Sequence, residues 1–315
     1  MTAAGGAAGG VLVSLVATAV ASATPLLYAA LGELVAERSG VLNLGVEGMM
    51  LAGAVCGFAT MTATGSDTLA LLAAAAAGAA LALLFAVLAL VLAASQVASG
   101  LALTIFGTGM STLIGARYTG MTVPPLPRLA VRGLSDLPVV GPLLFHYDAL
   151  VYLSVAAAGA IGWFMHRTRA GMVLRAVGES DVAAHSIGYP VIRIRALAVL
   201  FGGAMAGLGG AYLSLAYTPL WAEGMTAGRG WIALALVVFA AWRPGRAVVG
   251  AYLFGGITVL QLYLQGSGLV VVPTQILAMV PYVATIVVLT AISSASARSR
   301  LSAPACLGKT FRVAT

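Results

Sequence analysis

The chain has 315 residues, of which 61% are hydrophobic and 8% charged, with 16 basic and 9 acidic side chains and a formal net charge of +7. A water-soluble domain carries roughly 25% charged residues on the surface it shows to water. This composition therefore excludes an ordinary soluble fold and indicates an all-α bundle whose outer face meets lipid. The basic excess does not argue for nucleic acid, because the arginines cluster in short stretches beside apolar runs, where they set orientation across a bilayer.

The apolar runs predict about nine membrane helices (eight to ten), over 11–32, 44–63, 68–94, 98–117, 148–166, 194–216, 227–242, 247–264 and 271–292. No Asp, Glu, Lys or Arg occurs between Asp67 and Arg117, a gap of 49 residues. At roughly 20 residues per span it holds two crossings and a tight turn. The 39 glycines fit closely packed membrane helices. The N-terminus lacks the basic region and cleavage site of a secretory peptide. Two cysteines, Cys56 and Cys306, have no metal-ligand spacing and are not expected to bridge.

Orientation follows from the bases. The stretch from His166 to Arg195 holds Arg167, Arg169, Arg175, Arg193 and Arg195, and the tail holds Arg298, Arg300, Lys309 and Arg312. Both are expected in the cytoplasm. Nine spans then place Arg38 and Gln96 inside, and the N-terminus and the loop 118–147 outside. That loop carries Pro124, Pro125, Pro127, Pro138 and Pro142, with Arg128 and Arg132, and is expected to be irregular. Residues 1–297 read as the transmembrane domain, with a cytoplasmic loop at 167–193, and 298–315 as a basic cytoplasmic tail.

Two segments look broken. In Ser39–Gly53, four glycines interrupt an apolar run that holds Asn43 and Glu47. Between Arg229 and Arg243 only thirteen residues remain, about 20 Å of helix, which is short of a hydrocarbon core of about 30 Å. A crossing whose outer half is the irregular stretch 217–228, buried in protein, accounts for this better than a re-entrant loop. Broken helices in both halves of a transporter line the solute path, so Asn43, Glu47, Tyr217, Trp221 and Trp231 are candidate pathway residues. Each also has a structural reading: Glu47 satisfied by nearby N–H groups or paired with Arg38, and the aromatics as interfacial anchors. Glu33, Glu37 and Arg38 are expected to form a cytoplasmic ion-pair cluster, and Glu223 to pair with Arg229. The faces Gly107, Ser111, Gly115 and Gly203, Gly207, Gly210 are expected to pack helices.

The cytoplasmic stretch Thr168–Pro190 is too polar to insert. Gly178 breaks the preceding structure, Ser180 caps a short helix, and Glu179 and Asp181 suit its positive end. Ala183, Ala184 and Ile187 are expected on one apolar face, with Gly188 and Pro190 ending the helix. A capped helix with a small apolar face suits docking in another protein's groove.

That segment, with the pattern GxxxxAAxxxG at Gly178–Gly188, resembles the coupling-helix loop of ABC-importer permeases of the ribose and branched-chain amino-acid type. Ile194–Leu215 and Gly228–Gly256 resemble the blocks that follow it in that family. Leu31–Ala54 and Ala94–Ser111 are most similar to its nucleoside-uptake branch. The likeness is collinear over most of residues 25–292. It implies a bacterial inner-membrane permease that carries nucleosides or related small polar solutes. A sugar or branched-chain amino-acid solute is the alternative within the family, and an ion-coupled secondary transporter the alternative outside it. The implied partners are a cytosolic ABC ATPase, a second permease (a non-identical paralogue) and an extracytoplasmic substrate-binding lipoprotein. No cofactor, metal site or catalysis is expected: there is no HExxH or G-x-S-x-G motif, and Ala303–Thr310 matches only the loosest phosphate-loop pattern, without a flanking strand and helix.

Overall fold

The computed structural model describes residues 2–129, 141, 143, 145–267, 273–292 and 303–311, with the side chains of 2–12 left aside. Among the described residues there is no sheet, only two isolated bridges, Thr122 to Leu220 and Arg128 to Asp148. The helices are α1 (Thr2–Arg38), α2 (Val46–Thr64), α3 (Asp67–Ala86), α4 (Gln96–Gly115), α5 (Ala149–Arg167), α6 (Arg169–Glu179) and α7 (Asp181–Ser186). They continue with α8 (Val191–Tyr212), α9 (Arg229–Phe239), α10 (Pro244–Ser267), α11 (Thr274–Ala278) and α12 (Val280–Ile292). Their starts are written locally. Ser66, Ser95, Asp148, Thr168 and Ser180 each accept an N–H from the first turn of the helix that follows, satisfying donors a helix start leaves open.

Among the described residues seven helices are long and apolar enough to cross a membrane, and two shorter apolar ones, Arg229–Phe239 and Gln275–Val287, lie where the seventh and ninth crossings were expected. The chain alternates between two ends. Arg38, the loop 167–193 and the tail share one of them: Cys306 N–H donates to Gly178 O, and Gln96 Nε2 donates to Lys309 O. The segment 119–129 marks the other end, pairing through Val123 N–H with Pro219 O and Leu126 N–H with Leu215 O. Pro138, Pro142, Arg132, Arg298, Arg300 and Arg312 lie outside the described residues.

The short helix α9 is completed as a crossing by non-helical chain. A π-turn, Leu213–Tyr217, unwinds the end of α8 at the outer side. The stretch 218–228 then descends to Gly230, and α9 with the turn that follows it leads to Trp242, whose indole donates to the Glu37 carboxylate near the basic end of α1. This is the crossing, rather than the re-entrant loop, that the spacing favours.

α8 lies at the centre, packed on α1, α2 and α3. Glycine sets how close these helices come. A Cβ on Gly203 would meet Gly78 O and Ala82, one on Gly207 would overlap Ala74 O, and one on Gly210 would overlap Met50 O. On α4, Gly107 rests on Gly48 of α2, Ser111 is buried, and Gly115 lies under the indole of Trp221. Gly115 thus makes room for a side chain rather than for a helix. Helices that touch backbone to backbone gain dispersion that lipid cannot match. Gly207→Ala is therefore expected to lower the thermal midpoint in detergent sharply, whereas Gly109→Ala, whose new methyl meets nothing within 4 Å, leaves it within a degree or so of the parent.

Candidate functional site

At membrane depth, a peptide group that leaves a helix finds no water, so the protein must supply its partner. The break between α1 and α2 can be followed group by group. Ser39 O accepts from Arg195 Nε (3.0 Å), Leu42 N–H donates to Gln96 Oε1 (2.8 Å), and Asn43 N–H donates to Glu33 Oε1 (2.9 Å). Leu44 O accepts from Thr104 Oγ1 (2.9 Å), and Gly45 N–H donates to Asn43 Oδ1 (2.9 Å). Asn43 Nδ2 turns to the Met49 sulfur. Gly40, at φ +90°, permits the sharp reversal.

Glu47, on the first turn of α2, joins this break to the second one. Its carboxylate accepts from Thr226 Oγ1 (2.6 Å), Gly228 N–H (2.8 Å) and Gly230 N–H (2.6 Å). The helix start of α9 is therefore capped by an acid from 180 residues upstream, and the carboxylate also sits at the positive end of α2. Gly230 is obligatory, because a Cβ there would collide with the Glu47 backbone. Arg229 donates to Met225 O and Thr226 O and lies over the Tyr217 ring at 5.9 Å. Tyr282 of α12 donates to Ala227 O (2.9 Å).

Beyond the basic end stands a knob made of α6 and α7. Ser180 Oγ accepts from Ala183 N–H, and Gly188 ends the turn at φ +93°. Ala184 packs inward with Val177 and Val191, so it does not share an outward face with Ala183 and Ile187. The exposed apolar surface is instead Val182 (69% exposed), Ala183, Ile187 (72%) and Tyr189. The reason is the buried pair below α7: Asp181 Oδ2 takes Arg195 Nη2 at 3.0 Å and fixes which side of this short helix faces the bundle. Gly178 touches Arg38 O, and Glu179 is exposed beside it. The tail residues 303–311 dock here as turns. The Cys306 thiol reaches Glu179 O, and Phe311 meets the His185 ring edge-on at 5.5 Å. Between α6 and α7 on one side and Gln96 on the other, the loose phosphate-loop pattern forms a plug.

Of the five candidate pathway residues, Asn43, Glu47 and Trp221 are buried and occupied by protein, while Tyr217 is half-buried and Trp231 exposed. Of these only Glu47 bridges the two breaks; Trp221 lies over Gly115 of α4 and Tyr217 beside Arg229. Glu47 has no contact with Arg38. Glu33 and Glu37 are not part of an ion-pair cluster, since both are buried and take N–H groups from Asn43 and Trp242. Glu223 accepts from Thr112 Oγ1 (3.1 Å) and does not pair with Arg229. Arg195 was missed as a site residue. Its only sequence signal is a cation four residues into an apolar helix, which reads as an orientation charge.

A bundle of apolar, span-length helices with two protein-satisfied breaks and a capped knob at its basic end is a multi-pass membrane protein. Residues 15–289 match the model of the branched-chain amino acid transport system permease component, and the chain belongs to that family, as the membrane-spanning permease subunit of an ABC transporter. Family membership implies a complex with an ATPase and a substrate-binding protein, and the permease itself is a transport component. The chain is 42% identical over 313 residues to a putative glucose ABC transporter permease protein of Haloferax volcanii, spanning 93% of this chain and 95% of that one. It is 33% identical to a guanosine ABC transporter permease protein of Bacillus subtilis (89% and 92% of the two chains). It is 32% identical to a nucleoside ABC transporter permease protein of Lactococcus lactis (87% and 90%). No solved structure matches the chain.

Two substitutions probe this geometry. Glu47→Gln turns one acceptor into an NH₂ facing an N–H, and an orphaned buried donor costs about 1–3 kcal/mol. The thermal midpoint should fall, and Thr226→Val should lower it less. Arg195→Ala leaves Asp181 as an uncompensated buried acid, at a cost of about 3–5 kcal/mol. Limited trypsin digestion should then cut within 167–193 much faster than in the parent.

Proposed function

We propose that the protein is the permease half of an ATP-driven importer for nucleosides in a bacterial cell membrane. It works with a cytosolic ATPase docked on its knob, a second, non-identical permease, and an extracytoplasmic substrate-binding lipoprotein. The observation that carries this reading is the exposed apolar surface of α7, held in one orientation by the Asp181–Arg195 pair. A helix of this size, rigidly oriented and showing Val182 and Ile187 to water, is suited to a hydrophobic groove in a partner.

Force arriving at α7 passes through Arg195, which is wholly buried, to Ser39 at the first break. From there the helix start of α2 and the Glu47 carboxylate lead to the second break. Rocking of these elements between two arrangements would open the solute path alternately to either side. Tyr217 and Trp231 have ring surface available to a base or sugar. Asn43, Glu47 and Trp221 hold the path's walls. An ion-coupled mechanism through Glu47 would need a carboxylate free to exchange its partners, whereas three donors hold this one.

The nucleoside solute is supported by relatives in Bacillus and Lactococcus whose names carry it. Glucose is the second reading, favoured by the 42% relative. In vesicles holding the whole complex, Ile187→Asp should reduce uptake of labelled guanosine at least tenfold at unchanged permease content. Uptake equal to the parent rejects the docking surface. Excess unlabelled adenosine should compete and excess glucose should not; the reverse result assigns the sugar.

A further inference from the structure

A second built feature lies on the bundle's flank, at its basic end. A cavity of about 1400 Å³ opens between α5, the end of α6 and the start of α10. Its basic-end mouth is ringed by Arg38, Arg167, Arg175, Arg243 and Arg246, with His166 beside them. Glu179 is the one carboxylate among its lining residues. Arg167, Arg175, Arg243 and Arg246 make no ion pair with a carboxylate among the described residues, and Arg175 Nε is buried with no hydrogen-bond partner. Arg175 and Arg243 each stand close enough to Arg38 to repel it, against the attraction of Glu179. Such a cluster is stabilised by an anion that supplies several acceptor oxygens at once.

The rest of the cavity is apolar and runs up α5 from Arg167 to Val155, over Trp163, Gly162, Gly159 and Ala158. Twelve residues of helix rise about 18 Å, which is close to half of a hydrocarbon core of about 30 Å. The groove is therefore one leaflet deep, cationic at the head and greasy along its length. Trp163 is 63% exposed at its rim, at the level where indoles anchor in the headgroup region. A soluble phosphate would use the arginines but leave the trough empty. A neutral lipid would fill the trough but bring no anion to Arg175, Arg243 and Arg246.

We infer that this groove is a binding site for one anionic phospholipid of the cytoplasmic leaflet, its phosphate held by the arginine ring and an acyl chain laid along Gly159 and Gly162. Basic recesses between membrane helices on the cytoplasmic side suit such headgroups. The glycines are then explained. A Cβ on Gly159, Gly162 or Gly245 would meet nothing within 4 Å, so these positions are bare for no reason of helix packing. The inference does not depend on which solute is carried.

Native mass spectrometry of the purified complex, titrated with phosphatidylglycerol, phosphatidylcholine or inorganic phosphate, tests it. One phosphatidylglycerol should be retained per copy of this permease. Each guanidinium beside an anionic surface is worth about a factor of five, so Arg243→Gln combined with Arg246→Gln should weaken retention about 25-fold. Gly159→Leu with Gly162→Leu projects into the trough from positions where a Cβ meets no protein atom within 4 Å, and should abolish retention while the unliganded protein keeps its thermal midpoint. Retention unchanged in the filled variant, equal retention of phosphatidylcholine, or displacement of the lipid by millimolar phosphate would each overturn the proposal. So would loss of the second permease from the filled variant, because the groove would then be a subunit interface.

Discussion

Lipid offers a peptide group nothing to bond with, and this constraint organises the whole molecule. Wherever the chain stops being helical inside the bundle, another part of the chain reaches in to supply the missing partner. The Glu47 carboxylate is the central instance, taking two backbone N–H groups and a hydroxyl from a loop it meets only in the folded state. An ionised side chain at such depth is costly in isolation, of order 2.5–3.5 kcal/mol on insertion scales. With three donors and a helix start beneath it, it becomes the clamp between the two breaks. Glu33 and Gln96 do the same work at the first break, each with one backbone N–H.

Glycine provides the complementary half of the design. Closing the bundle around non-helical backbone requires neighbouring helices to come near enough for their side chains to reach across. α8 achieves this with one glycine face against α2 and α3 and another against α1, where Gly202 meets Gly32. The same proximity places Arg195 beneath α7. The knob is consequently not a loose appendage but an extension of the central helix, tied to the first break through one guanidinium.

The tail adds a second tie at the same end. Residues 303–311 lie between Gln96, which also pins Leu42, and the α6–α7 junction. A motion of the knob therefore meets the tail as well as Arg195. The loop 167–193 and the first break thus share their supports.

Much of this was written locally. Apolar runs, capping serines and arginine placement gave the helices, the two ends and the knob, because hydropathy and helix starts depend on neighbours in sequence. The glycines and the Asn43–Glu47 spacing revealed that the chain breaks there. What sequence could not assign was partnership. Glu33, Glu37 and Arg38 look like an ion-pair cluster on paper, yet the two acids turn inward to N–H groups of Asn43 and Trp242, because those donors had no other partner. Ala184 shares a helical repeat with outward residues but packs inward once Asp181 finds Arg195. Contacts between residues 47 and 230, or 181 and 195, are decided by which unsatisfied groups the closed bundle brings together, and only the tertiary structure makes that choice.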